Sequence, residues 1–114
     1  MIVATPVTPD GRLAGAFGRA HWMGVADVTD GAVAAWQIHE VRWDELHDAG
    51  THGSHHARIV TFLKEHAVEA LVVDHVGEGM RRVLTTMGIP LLPATGGDAQ
   101  ASVLAAVASS TPSE

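Results

Sequence analysis

Four of the eight histidines stand within ten residues, at His47, His52, His55 and His56, the last three inside Thr51-His52-Gly53-Ser54-His55-His56. Neutral imidazole is a strong nitrogen ligand, and a helix predicted to begin at Ser54 aims backbone amides at the same place. The stretch suits a metal ion or an anionic metal cluster. The competing reading is a solvated, histidine-rich loop that only joins two elements. His55 and His56 also suit hydrogen-bonded roles at a helix start, since they precede apolar Ile59 by four and three residues.

Other residues could join such a site. Arg19 offers several donors to sulfide or oxo groups, or a salt bridge to a carboxylate. His75 lies at the end of a predicted strand, whereas His66 reads as a helix-surface or packing residue and His39 as a structural one in mid-strand. Gly77, Gly79, Gly96 and Gly97 permit close backbone approach to a ligand and would serve equally as plain turn residues. Met80 and Met87 fit a helical core stripe rather than soft-metal ligation.

Composition narrows the chemistry. With no cysteine in 114 residues, disulfides and thiolate-held iron-sulfur clusters are excluded, so metal must go to histidine, carboxylate or ligands the cofactor brings. Thirteen acidic against seven basic residues give a net charge of -6, which argues against tracking a phosphate backbone, so no nucleic-acid partner is expected. No apolar run approaches a membrane span, and Ile2-Val3-Ala4 opens without a basic region or cleavage site. The expectation is a cytoplasmic protein with no membrane partner, a monomer or weak homodimer. Its length suits one domain, placed at residues 1–108, with 109–114 as a disordered tail.

The elements that must position these residues follow from periodicity. Met1 to Val7 reads as a central strand covered on both faces. His21–Val28 and Ala32–Val41 flank Asp30-Gly31, the composition of a two-residue hairpin turn. A simple register across that turn puts Met23, Val25, Trp36 and Ile38 on one face. The loop before the hairpin is expected to hold Phe17 and Arg19 outward. A helix runs from an N-cap at Ser54 to about Ala67, a buried strand from Ala70 to Asp74, and a helix through Met80, Val83, Leu84 and Met87 to Gly88. Ile89 to Leu92, carrying Pro90, suits an edge strand, and a last helix follows Thr95-Gly96-Gly97-Asp98.

The order is β-β-β-α-β-α-β-α. Right-handed crossovers and the hairpin predict a mixed five-stranded sheet of order 3-2-1-4-5 with strand 2 antiparallel. Phe17 to Arg19, the histidine stretch, His75 to Gly79 and Gly96-Gly97 would then emerge at one edge, where helix N-termini favour an anion.

Several short stretches together resemble the dinitrogenase iron-molybdenum cofactor biosynthesis family, the NifX-like proteins that share a domain with the C-terminal part of NifB. These are Ile2-Val3-Ala4-Thr5-Pro6-Val7, Phe17-Gly18-Arg19-Ala20, the Asp30-Gly31 hairpin, His52-Gly53, Val76-Gly77, Gly88-Ile89 and Gly96-Gly97. The resemblance implies a single-domain, three-layer ribonuclease H-like α/β fold. It also implies a non-catalytic role in nitrogen fixation, binding or carrying a molybdenum or iron-sulfur cofactor or its precursor, with cofactor donor or acceptor proteins as partners. On that reading the cofactor contacts are His52, Arg19, Phe17, Gly18, Gly53, His75, Gly77, Gly96 and Gly97, and the candidate metal ligands are His52, His55, His56 and His47. Where the family commonly reads His-Phe-Gly-Arg this chain has Ala16 before Phe17, leaving His21, His55 or His56 as replacements. Two other classes compete: a small histidine-zinc hydrolase with Asp74 or Glu78 as base, although no His-Glu-x-x-His pair is present, and a ligand-free interaction module.

Overall fold

The N-terminal apolar run forms strand β1 (Ile2–Val7), buried from its second residue onward at the centre of a five-stranded sheet. The computed structural model describes residues 1–46 and 52–110. β1 pairs antiparallel with β2 (Trp22–Thr29) and parallel with β4 (Ala70–Val73). Outside them, β3 (Ala32–Glu40) pairs antiparallel with β2, and β5 (Leu91–Pro93) pairs parallel with β4. The order β3-β2-β1-β4-β5 is the expected one, with β2 running against the rest. Two short helical turns, a 3-10 turn at Phe17–Arg19 and α1 (Trp43–Leu46), escape the sequence reading because each is too short to show a period.

Three longer helices cover the sheet: α2 (His52–Glu65), α3 (Glu78–Met87) and α4 (Ala99–Ser110). Strand alternation divides the core accordingly. Ala4, Met23 and Leu71 face Ile59 and Leu63 of α2 and Leu84 of α3, whereas Val3, Ala26 and Val72 face Val103 and Ala106 of α4. Three layers result, with α4 on the opposite face from α2 and α3. α3 ends as expected at Gly88, which takes the left-handed φ of 73° and donates its N–H to Leu84 and Thr85 carbonyls. α4 starts on Asp98, whose Oδ2 accepts the Ala101 N–H at 2.9 Å. α2 begins at His52, ahead of the expected cap at Ser54, and the chain leaves it through Ala67 at φ 53°.

The hairpin turn is the expected one, with Asp30 at φ 52° and Gly31 at φ 77°. The face assignment beyond it is overturned. Val28 pairs with Val33 but Asp27 pairs with Ala35, so Ala34 is an extra, bulged residue. One added residue reverses the alternation. Met23 and Val25 therefore stay on the α2 side with His39 and Gln37 opposite them, while Trp36 pairs with Ala26 on the α4 side. The Trp36 ring lies across Gly24, where a Cβ would come within 2.4 Å of it. On the other face, His39 packs against the rings of His66 at 4.3 Å and Phe62 at 5.7 Å, with its Nε2 buried and without a hydrogen-bond partner among the described residues.

Candidate functional site

Phe17 is held inward, not outward as expected. It is 1% exposed and meets Trp43 edge to face at 5.6 Å, and Trp43 meets Phe62 of α2 in the same way at 5.5 Å. Three aromatic side chains thus tie the 3-10 turn, α1 and α2 together, with a further bond from the Trp43 N–H to the Ala20 carbonyl at 2.9 Å. Burying Phe17 fixes Gly18 and leaves Arg19 exposed beside it.

His55 completes the fastening. It is 4% exposed, its Nε2 lies 2.7 Å from the Gly18 carbonyl, and its Nδ1 lies 2.9 Å from the Arg58 guanidinium. Guanidinium can only donate, so Nδ1 must accept and Nε2 must carry the proton that goes to Gly18. A directed relay runs from Arg58 through a neutral His55 to the 3-10 turn. With both ring nitrogens engaged inside the protein, His55 positions the turn.

Its neighbour His56 is half-buried and faces a groove of about 270 Å³. One wall of the groove is Phe17 and Gly18, a second is His55, His56 and Ile59 of α2, and the third is Val76, Gly77, Gly79 and Met80. The His56 ring rests on the first turn of α3, where a Cβ at Gly79 would stand 3.2 Å from its Cε1. Gly77 is the N-cap of that helix and supplies no side chain, so among the described residues no side chain caps the first-turn amides of α3. The groove combines apolar walls, one imidazole and a bare helix N-terminus, a set suited to a partly apolar anion.

Sequence reasoning brings together Phe17, Gly18, His55, His56 and Gly77 correctly in space. Other residues stand apart. His75 is exposed on the β4–α3 turn next to Val76. Gly96 and Gly97 bind the opposite side of the sheet edge, where Leu13 N–H donates to the Gly97 carbonyl at 2.9 Å and Ala99 N–H to the Gly11 carbonyl at 3.0 Å. They do not line the groove. His52 and Gly53 occupy the first turn of α2 by their backbone, and His47 lies outside the described residues.

His21, offered as a substitute ligand, instead sits in a carboxylate frame. Its Nε2 is 2.7 Å from Glu40 Oε2, and its Nδ1 is 2.9 Å from Asp44 Oδ1 and 3.4 Å from Glu45 Oε2. The hydrogen bond to Glu40, then that to Asp44, raises its pKa above 6.5. The ligand atoms of His21, Asp44 and Glu45 lie within 4.8 Å of one another, a chelating arrangement that sequence reading misses because the hairpin brings residue 21 to residues 40–45. No three histidines converge among the described residues. Glu78, one of the proposed bases of the zinc-hydrolase reading, lies 3.5 Å from Arg82 on the surface.

A sequence model described as dinitrogenase iron-molybdenum cofactor matches residues 1–110. Among solved structures, the apo form of the orange protein from Desulfovibrio gigas superposes with a TM-score of 0.74 at 18% identity, covering 99% of this chain and 92% of that one. A candidate NifB protein from Thermotoga gives 0.69 at 20% identity over 99% and 97% of the two chains. A candidate dinitrogenase from Methanocaldococcus jannaschii gives 0.70 at 16% identity over 98% and 97%. At these identities the likeness is one of fold. No curated protein matches the chain.

Proposed function

The chain belongs to the dinitrogenase iron-molybdenum cofactor family, and we propose that it binds and carries a molybdenum- or iron-sulfur-containing cluster or its precursor as cargo, without catalysing a reaction. The observation that carries this reading is the groove where the imidazole of His56 meets the uncapped N-terminus of α3. The donor set fits an anionic metal-sulfur cargo. Imidazole supplies one nitrogen, first-turn amides supply hydrogen bonds to sulfide, and Phe17, Ile59, Val76 and Met80 exclude water around them. Absence of cysteine suits a carrier, since thiolates would hold iron more permanently. His52 stands one helical turn before His56 on α2, and we assign it as the second nitrogen ligand; Arg19 and His75, exposed at either rim, are assigned to the cargo's outer charge.

No helix among the described residues is long and apolar enough to cross a membrane. The test is anaerobic incubation with isolated iron-molybdenum cofactor, followed by gel filtration and metal analysis of the protein peak. The expected result is comigrating iron and molybdenum that His56→Ala and His52→Ala reduce at least tenfold, while exposed Glu65→Gln on the far end of α2 leaves retention unchanged. Equal retention by all four proteins would place the cargo elsewhere; retention by none would remove the carrier reading.

A further inference from the structure

Seven cations serve the whole chain against thirteen acids, yet three of them, Lys64, Arg81 and Arg82, gather on the outer side of α2 and α3. Lys64 and Arg82 border a hollow of about 300 Å³ between the two helices, floored by half-buried Val60, Val83 and Met87. Across the crest of α3, Arg81 overlooks a second hollow of about 600 Å³ that reaches Ile89 and Leu91 at the sheet edge. A third, of about 420 Å³, joins them through Arg81, Arg82 and Thr85. The surface is continuous along the helix. Among the described residues that line these hollows the one acid is Glu78, which pairs with Arg82 at 3.5 Å. Among the described residues Arg81 and Lys64 form no ion pair.

We infer that the outer face of α3, with the end of α2, docks an acidic segment of a partner protein that also carries apolar side chains. Charge and shape select this occupant. A basic rim over an apolar floor, on a chain of net charge -6, complements carboxylates beside leucine-like side chains, and repels little else. A nucleic acid needs cations in larger number to track its backbone. A second copy of this chain clusters acids at Glu40, Asp44 and Glu45, but His21 and Arg42 already pair with them there. The segment would lie within about one helix length, roughly 15 Å, of the groove at the other end of α3. The surface stands on its own observations whether or not the groove takes a metal cluster.

The test uses the full chain and a synthetic amphipathic helix with glutamate on one face and leucine on the other, followed by fluorescence anisotropy at rising salt. Saturable binding is expected, weakening with salt and falling at least tenfold in Arg81→Glu/Arg82→Glu. The same double variant should gain affinity for a peptide with lysine in place of glutamate, and Arg12→Glu elsewhere on the surface should change neither. Absence of saturable binding, equal affinity of wild type and double variant, or equally tight binding of a single-stranded oligonucleotide would each overturn the proposal. So would a concentration-dependent dimer that the double substitution abolishes, since that would make the occupant a second copy.

Discussion

His55→Ala should cost far more than an ordinary histidine truncation near a surface. The side chain is 4% exposed and spans from Arg58 to the Gly18 carbonyl through bonds of 2.9 and 2.7 Å. Each broken bond leaves a part-buried group without that partner, at about 1 to 1.5 kcal/mol apiece, the guanidinium bond toward the upper figure. Lost ring packing adds about 1 kcal/mol, giving roughly 3 kcal/mol in all. At about 4 to 8 °C per kcal/mol for a domain of this size, the melting temperature should fall by roughly 15 °C. Urea unfolding gives the energy directly. His55→Gln separates the relay from simple packing, because the glutamine amide donates to Gly18 while its oxygen accepts from Arg58. We expect it to recover at least half of the loss. A His55→Ala protein within about 0.5 kcal/mol of wild type, or a glutamine variant no better than alanine, would refute the relay.

Gly24→Ala should destabilise by about 1 to 3 kcal/mol, because its Cβ would meet the Trp36 ring at 2.4 Å; thermal unfolding reads this, and Trp36→Leu should relieve it. Gly79→Ala presses on His56 at 3.2 Å, so metal retention should fall several-fold while melting temperature changes little, as measured on the same samples. Burial, and then the neighbouring His66, lowers the pKa of His39 below 6.5. Its contribution to stability is full above the ordinary histidine range and is lost as pH falls through the lowered value, so His39→Phe should flatten the acid side of a stability-pH curve. His21 has the opposite sign, since its raised pKa gives stability that is present below 6.5 and lost as pH rises through the folded value; His21→Gln should flatten that upper limb.

Sheet order was legible because parallel strands need crossovers and Asp30-Gly31 forces a hairpin, leaving few topologies. The β3 register was not legible. Ala32-Val33-Ala34-Ala35 is apolar at every position, so no alternation marks where the extra residue enters, and the bulge at Ala34 reverses the faces beyond it. At the site, sequence placed the Phe17–Arg19 loop, the start of α2 and the β4–α3 turn at one edge, and they line one groove. Gly96 and Gly97 reach that edge but leave the groove, because α4 packs on the other face of the sheet. Phe17 looked like a loop side chain since its partners Trp43 and Phe62 are distant in sequence, and nothing local signals their meeting. Division of labour between His55 and His56 was likewise hidden, because it depends on Arg58 one turn along α2 and on Gly18 across the groove.

The bulge at Ala34 also bears on what the sheet refuses. β3 is an outer strand of nine residues without a lysine or a proline, and its only charge is Glu40 at the end. A straight strand of that composition would be an open template, and copies could zip together along it into aggregates. The unmatched residue kinks the strand within its first half and sharpens its twist, so an incoming strand in regular register loses the ladder after a few residues. Regular pairing along that edge is therefore hindered by backbone shape, leaving the side chains of β3 free to pack on both faces of the sheet.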